Sequence, residues 1–220
     1  MAKLILFGTG DIAKLAHYYF THDSAHEVIA FCVDAAYRTA PEFLGLPLVS
    51  FEDVEHHYPP ATHRMFIALS YARMNQLRAA KYAAAKERGY NLVSYLSSHA
   101  TCLTQFPIGD NCFILENNTI QPFVTIGNNV TLWSGNHIGH DSTIADHCFI
   151  SSHVVISGHC TIGAYSFLGV NATLHNSIQI AERCLIGAGA VIMKDTVAKG
   201  VYLPKQGAML FAKNSDEVEL

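Results

Sequence analysis

Apolar positions recur at a fixed interval through the second half of this chain. From residue 108 onward every sixth position is Ile or Leu, and two positions before it stands a residue that is usually small. The run comprises Ile108, Ile114, Ile120, Ile126, Leu132, Ile138, Ile144, Ile150, Ile156, Ile162, Leu168, Leu174, Ile180, Ile186 and Ile192. Residues two apart in an extended segment point to the same side. Each hexad therefore predicts a short strand with two inward side chains, and the repeat indicates a hexapeptide β-helix.

Glycine directly follows the Ile or Leu in several of these hexads, where the chain must turn a corner. These positions are Gly109, Gly127, Gly139, Gly163, Gly169 and Gly187. Because glycine has the widest range of backbone conformations, we expect it to permit the bend.

The first part of the chain has a different pattern. Apolar runs predict strands at 3–7, 27–33, 64–69 and 91–96, with helices at 11–20, 51–57 and 71–88 between them and a loop through Pro41, Gly45 and Pro47. Strands that alternate with helices predict a parallel α/β sheet. We therefore expect a small Rossmann-like domain at 1–96 and a hexapeptide β-helix at 97–220, which ends in a solvated tail.

Composition narrows the possible partners and the compartment. The 220 residues are 50% hydrophobic and 15% charged, which is typical of a globular protein, and the net charge of −4 favours neither nucleic acid nor an anionic membrane as partner. The apolar stretch at 4–7 is too short for a secretion signal, and no apolar run is long enough to span a membrane. We expect a cytoplasmic protein. The six cysteines include no Cys-x-x-Cys pair, and four occupy small inward hexad positions, so we interpret them as core residues.

A glycine loop follows the first predicted strand. Gly8-x-Gly10-x-x-Ala13 lies between that strand and a helix, an arrangement in which backbone amides bind phosphate. Asp34 ends the second predicted strand and is placed to accept hydrogen bonds from a ribose or a base. About 95 residues are close to half a dinucleotide fold, so we expect one nucleotide instead of NAD. The alternative is a glycine turn that only packs a strand on a helix.

Histidines are the candidate chemical groups of the repeat. His140 is followed by Asp141 at a predicted corner, and a carboxylate can orient an imidazole as a general base. His147, His153 and His159 recur every six residues, which suggests a metal site. That spacing places them on different corners, however, so one chain cannot bring them together, and a shared site would need an oligomer interface. We interpret them as exposed corner residues.

Residues 138–195 resemble the left-handed β-helix acyltransferases. The resemblance is closest to the nucleotide-sugar N-acetyltransferases of bacterial surface glycans and to their sialic-acid O-acetyltransferase relatives. It implies left-handed winding with three hexads per coil, so that the fifteen hexads make about five coils. It also implies acetyl-CoA as co-substrate, no metal, and a homotrimer with active sites between neighbouring β-helices.

The same resemblance assigns roles by position. His140 aligns with the general base, and Asp141 with the acidic residue beside it. Gly10, Asp11 and Ile12 match the phosphate-side loop, which Gly8 opens; Asp34 and Ala35 match the nucleoside contact, and Ser70 a later loop contact. Val170 and Ala188 match coenzyme A contacts, and Phe149 occupies the position of another. Gly158 stacks one coil from His140, so we expect it to leave room beside the base for the thioester arm. The glycine loop is shorter than the usual Gly-x-x-Gly-x-Gly, and Phe149 stands where family members often carry a second histidine.

Our hypothesis from the sequence is an N-acetyltransferase that acts on a nucleotide-linked amino-deoxy sugar. An O-acetyltransferase for a sugar hydroxyl would use the same base. A zinc carbonic anhydrase, which can also be a trimeric β-helix, and a catalytically silent scaffold are further alternatives. The carrier nucleotide (UDP, dTDP, GDP or CMP), the sugar and the position of its amine stay open.

Overall fold

The N-terminal part of the chain is an α/β sheet with helices packed against it. The computed structural model describes residues 2–205. Its first elements are β1 (Lys3–Phe7), α1 (Asp11–His22), β2 (Glu27–Val33), β3 (Glu42–Phe43), β4 (Leu46–Ser50), α2 (Val54–His57), β5 (His63–Ile67), α3 (Gln76–Glu87) and β6 (Asn91–Leu92), with 3-10 turns at Ala35–Tyr37 and Phe51–Asp53. Among the described residues these strands form one sheet in the order β3-β4-β2-β1-β5-β6, parallel except for the β3–β4 pair.

Two predictions for this part were wrong in detail. The expected loop through Pro41 and Pro47 contains the antiparallel pair β3–β4, and β4 pairs with β2 only from Leu48 onward, after the proline that lacks an N–H. The expected helix at 71–88 begins five residues late. Arg73, Met74 and Asn75 all have positive φ, which an α-helix does not accommodate.

The remaining described residues form a parallel β-helix of two-residue strands. These are β7 (Tyr95–Leu96), β8 (Thr101–Cys102), β9 (Phe113–Ile114), β10 (Thr119–Ile120), β11 (Thr125–Ile126), β12 (Thr131–Leu132), β13 (His137–Ile138), β14 (Thr143–Ile144), β15 (Phe149–Ile150), β16 (Val155–Ile156), β17 (Thr161–Ile162), β18 (Phe167–Leu168), β19 (Thr173–Leu174), β20 (Gln179–Ile180), β21 (Leu185–Ile186), β22 (Val191–Ile192) and β23 (Val201–Tyr202). Within residues 2–205 they build faces of seven (β7 to β23), six (β8 to β22) and four strands (β11 to β20).

The hexad residues fill the interior of this prism. Partners such as Ile138 and Ile156 are 18 residues apart in sequence and stack in register, and both are fully buried. The expected strand at 91–96 is two strands in different sheets, because Tyr95–Leu96 pairs with Phe113–Ile114 of the β-helix. We therefore propose that the boundary between the two parts lies between Leu92 and Tyr95. The predicted solvated tail lies largely outside the described residues.

Glycine is required at these corners for a different physical reason from the expected one. Gly109 and Gly139 do not adopt positive φ, but an added Cβ would lie 2.3 Å from the Gly127 carbonyl oxygen and 2.5 Å from the Ser157 carbonyl carbon, respectively. Glycine is therefore needed because successive coils approach closely. The left-handed conformation is adopted instead at other corner positions, by Gly135, Gly189 and a set of residues with side chains. The residues with side chains in the repeat are Asn111, Asn117, Phe123, Asn129, Asp141, His147, His153, His159, Tyr165, Asn171, Ser177 and Arg183.

A buried arginine on helix α3 links the α/β part to the β-helix by hydrogen bonds. The guanidinium of Arg78 is 1% exposed and donates hydrogen bonds to the carbonyl oxygens of Asn129, His147 and Cys148 at 3.0–3.2 Å. It also reaches the Ser70 carbonyl at 3.4 Å. No carboxylate accompanies it within residues 2–205, and burial lowers the pKa of Arg78 to about 10. These contacts fix how the α/β part sits on the β-helix.

The cysteines are core residues, in agreement with their spacing. All six are free thiols, and burial raises the pKa of Cys112 and Cys148 to about 12. Such thiols do not act as nucleophiles at neutral pH. In the part of the chain that the structure covers, no helix is long and apolar enough to traverse a bilayer.

Candidate active site

The glycine loop joins the end of β1 to the first turn of α1. Gly8 has φ +125, and a Cβ there would lie 2.8 Å from the Ala68 carbonyl oxygen, so the loop packs tightly against the end of β5. Gly10 is the N-cap of α1, and an added Cβ at Gly10 would meet no atom within 4 Å. This side of the loop is therefore open. The first amides of α1, from Asp11 onward, are unpaired within the helix and suit an anion.

One groove runs from this loop to the β-helix. Its upper section has a volume of about 300 Å³ and is lined by Phe7, Gly8, Thr9, Gly10, Val33, Asp34, Tyr37, Leu69, Leu77 and Lys81. The middle section, about 450 Å³, is lined by Gly10, Asp11, Ile12, Leu15, Ala68, Leu69, Ser70, Tyr71 and Trp133. The lower section, about 230 Å³, is lined by Ile12, Tyr71, Trp133, Phe149, Ser151, Ser152 and Val170. Adjacent sections share residues, so we name the whole the interdomain groove.

The interdomain groove brings together most of the residues expected to bind the two substrates. All of the expected nucleotide residues except Ala35 line its upper or middle section, and Phe149 and Val170 line its lower section. Ala35 lies outside, and its N–H donates to Glu52 Oε2 at 2.9 Å. Ala188 is exposed on the same edge of the prism as Val170, one coil further along.

His140 is held at a corner by two hydrogen bonds. Its backbone N–H donates to Gln121 Oε1 at 2.8 Å, and its Nδ1 lies 2.8 Å from Asp141 Oδ2. The side chains of His140 and Asp141 are 52% and 42% exposed, so substrate can reach the ring from solvent. With Nδ1 engaged by the carboxylate, Nε2 is the nitrogen left to exchange a proton.

The next coil supplies the surface on which this ring lies. A Cβ added to Gly158 would fall 2.7 Å from His140 Nε2, so only glycine leaves room there. The ring of His159 stands perpendicular to that of His140, with centroids 4.9 Å apart. Gly158 therefore determines where Nε2 sits.

His140 and the interdomain groove lie on different edges of the prism. Trp133, Ser151 and Val170 stand on the edge that follows the seven-stranded face, which we call edge one. His140 and Gly158 stand on the edge that follows the six-stranded face, which we call edge two. The intervening face separates them, and among residues 2–205 His140 lines no section of the groove. A single chain thus does not bring its own imidazole to its own groove.

The other histidines occupy the three edges as their spacing predicts, but not all are exposed. His147 is half-buried, 2.9 Å from the Asn129 amide nitrogen and packed between the rings of Tyr82 and Tyr165. The prediction of an exposed His147 was therefore wrong, because α3 covers this corner. Its burial lowers the pKa of His147. A possible cation site is formed instead by His140, Asp141 and His159, whose ligand atoms lie within 4.8 Å of one another.

Comparison with known proteins gives a family for the repeat and a fold for the chain. The model of the family "Bacterial transferase hexapeptide (six repeats)" matches residues 108–139, 124–158 and 159–194. No curated protein is similar in sequence. The acetyltransferase domain of PglB from Neisseria gonorrhoeae FA1090 superposes with a TM-score of 0.82 at 21% identity, over 96% of this chain and 100% of that one.

Two further solved structures extend this likeness. PerB from Caulobacter crescentus in complex with CoA and GDP-perosamine has a TM-score of 0.80 at 20% identity, over 93% of this chain and 95% of that one. WeeI from Acinetobacter baumannii AYE has a TM-score of 0.77 at 18% identity, over 96% and 100%. The chain has the fold of these three proteins. The predicted architecture, an α/β domain followed by a left-handed parallel β-helix, is confirmed.

Several groove residues of this acetyltransferase fold were not predicted from the sequence. Tyr71 and Trp133 line both the middle and the lower section, and Lys81 lines the upper section beside Asp34. Trp133 is the only tryptophan of the chain and follows a hexad leucine, which is a weak signal. Nothing local marks Lys81, because its role depends on how α3 packs against β5 and β6 of the sheet.

Proposed function

We propose that this chain is an acetyl-CoA-dependent N-acetyltransferase that acts on a nucleotide-linked amino sugar. The observation that carries the proposal is that the chain has both the His140–Asp141 dyad and a groove that runs from a glycine loop suited to phosphate binding to the β-helix. The fold supports it, since the similar PerB structure is a complex with CoA and GDP-perosamine and the PglB domain has also been solved with acetyl coenzyme A.

The nucleotide occupies the upper and middle sections of the interdomain groove in this proposal. Gly8 keeps the loop close against β5, Gly10 lets the diphosphate approach the backbone, and the first amides of α1 at Asp11 and Ile12 bind its charge. Asp34 lies on the nucleoside side, and Ser70 contacts the substrate further along. The sugar then points toward Trp133 and the β-helix.

His140 removes the proton that the amine loses. The neutral amine attacks the thioester carbonyl, a C–N bond forms, and Nε2 accepts the N–H proton as the tetrahedral intermediate develops. Collapse breaks the C–S bond, and the proton passes from the imidazolium to the departing thiolate, which leaves as free coenzyme A. Asp141 orients the ring and stabilises its protonated form.

The active site is shared between copies of the chain. Because His140 lies on edge two and the groove opens on edge one, we propose a homotrimer in which edge two of one protomer faces edge one of its neighbour. Acetyl-CoA lies between them, with Gly158 on the side of the base and Phe149, Val170 and Ala188 on the side of the groove. A closed cyclic assembly buries such a heterologous contact in every copy.

A substrate screen tests this assignment directly. Purified protein is incubated with acetyl-CoA and nucleotide-linked sugars that carry either an amine or only hydroxyls, and release of coenzyme A and acetylated product are measured. Turnover confined to the amines supports the proposal. Faster turnover of a hydroxyl acceptor, including free sialic acid, would establish the O-acetyltransferase alternative. Stoichiometric zinc required for activity would contradict a metal-free base.

Gly158→Ala tests whether Nε2 must lie where it does. The added Cβ would stand 2.7 Å from Nε2, so the ring must swing away from its place beside the thioester. We expect kcat to fall at least about tenfold with little change in KM for the nucleotide sugar, because displacement of a catalytic group by 1 Å is costly. The control is Ser157→Ala at the preceding corner residue. Unchanged kcat in Gly158→Ala would show that the ring position is not critical.

A further inference from the structure

We propose that Asp34 and Lys81 read the base of the carrier nucleotide and select bases with a lactam edge. Uracil, thymine and guanine have such an edge, an N–H beside a carbonyl, whereas cytosine and adenine do not. The inference rests on the proposed function and deepens it, since it names which carriers the same groove accepts.

Asp34 and Lys81 form a pair that faces the upper section of the interdomain groove. Lys81 Nζ lies 2.5 Å from Asp34 Oδ1, and the two side chains keep 21% and 25% of their surface exposed. The ammonium also lies over the rings of Phe7 and Phe51, 5.4 and 5.5 Å from their centroids. The cation is thus held in one place, and ammonium and carboxylate are presented side by side.

The hydrogen-bonding groups left at this point are one acceptor and one donor. Oδ2 of Asp34 has no hydrogen-bond partner in the part of the chain from 2 to 205, and the Lys81 ammonium has protons beyond the one it gives to Oδ1. The neighbouring backbone donor, the Ala35 N–H, is already occupied by Glu52 Oε2. The exposed ring of Tyr37 lines the same section, where it can stack on a base.

This arrangement matches a lactam edge and opposes the amidine edge of cytosine or adenine. In uracil the N3–H donates to the carboxylate and O4 accepts from the ammonium, and in guanine N1–H and O6 do the same. Cytosine and adenine present a ring-nitrogen lone pair where the lactam has its N–H, so the carboxylate would face a second acceptor. A protein site that accepts a hydrogen bond from a ligand N–H rejects analogues without that N–H, because the polar groups of the site are then left unpaired.

The position of Asp34 at the end of β2 also allows a simpler role. In dinucleotide folds a carboxylate at this place binds the ribose hydroxyls, which every ribonucleotide carries. A ribose contact alone would not distinguish UDP from CDP. A comparison of bases on one ribose diphosphate therefore separates the two roles.

The experiment is calorimetric titration of the purified full chain with UDP, GDP, CDP and ADP. We expect UDP and GDP to bind at least about tenfold more tightly than CDP and ADP, as good hydrogen-bond discrimination at a base edge allows. Asp34→Asn presents an amide N–H to the ring nitrogen of cytosine. The substitution should therefore weaken the binding of UDP and reduce or reverse the preference for UDP over CDP. Lys81→Met should weaken the binding of UDP and GDP more than the binding of CDP.

A matched control lies on the same helix. Lys86 pairs with Asp110 at 2.5 Å, but neither residue lines the groove, so Lys86→Met and Asp110→Asn should leave the base preference unchanged. A thermal melt without nucleotide first checks that each variant is folded. If Lys81→Met does not fold, the base preference of Asp34→Asn alone tests the proposal. Equal binding of all four diphosphates, or tighter binding of CDP or ADP, would overturn base selection while the proposed function stands. Binding of none would overturn the proposed nucleotide site itself.

Discussion

Replacing His140 by Asn should reduce kcat by about 10²–10⁴-fold, the usual contribution of a general base. Asn cannot accept the proton that the attacking amine loses, although it fits the same corner. The groove is on another edge and keeps its residues, so the affinity for the nucleotide sugar should change little. Steady-state kinetics with acetyl-CoA and an amino sugar acceptor measure both quantities, and a thermal melt checks that the fold is retained.

His175 provides the control for that substitution. It is also exposed on edge two, and its Nδ1 lies 3.1 Å from the Asn176 carbonyl oxygen, away from the dyad. His175→Asn should keep activity within about threefold of the wild type, because it removes no proton acceptor from the reaction. If His140→Asn and His175→Asn behaved alike, His140 would not be the base.

Replacing Arg78 by Met should destabilise the whole chain. The substitution removes hydrogen bonds to the Asn129, His147 and Cys148 carbonyls and leaves buried acceptors with fewer partners. Each buried acceptor left without a partner costs about 1–3 kcal/mol, so the Asn129 and His147 carbonyls together cost about 2–6 kcal/mol. For a chain of this size that is a fall in Tm of about 4–24 °C. Circular dichroism during heating measures it.

Arg88 on the same side of the molecule is the matched control. It lies just after α3, its side chain is 28% exposed, and it pairs with Glu55 at 3.5 Å. A partly exposed ion pair contributes less than about 1 kcal/mol, so Arg88→Met should shift Tm far less. Equal shifts for the two variants would mean that Arg78 does not hold the α/β part on the β-helix.

The sequence predicted the β-helix well because its signal is local and repeated. Each hexad places an inward residue such as Ile138 or Ile156 at the same position of the repeat. When the coils stack, these residues form a buried column. The dyad His140–Asp141 was predictable for the same reason, since its two members are adjacent in sequence. The end of β2 before Asp34 was also predicted, because a continuous apolar run stops there.

Features that depend on distant partners were not predictable. Helix α3 starts late because the side chain of Asn75 donates to the carbonyl oxygens of Tyr165 and Ser166, ninety residues away, and that contact overrides local helix propensity. Lys81 joins the groove only because α3 packs on the sheet in a position that brings Lys81 to Asp34, which follows β2. The reason for the corner glycines was also hidden, since close approach between coils appears only after they are stacked.

Mixed trimers test most directly whether His140 of one protomer serves the interdomain groove of another. Two inactive variants are prepared, His140→Ala and Gly10→Glu. A Cβ added at Gly10 would meet no atom within 4 Å, so the fold should accommodate the glutamate while its charge repels the diphosphate. The variants are unfolded together in equal amounts, refolded and assayed.

We expect the mixture to recover about one quarter of wild-type activity, because random assortment in a ring pairs an intact His140 with an intact neighbouring groove at that frequency. Each variant refolded alone should stay inactive. If the refolded mixture forms mixed oligomers but has no more activity than its components, the base and the groove do not act across two copies of the chain, and the account is wrong.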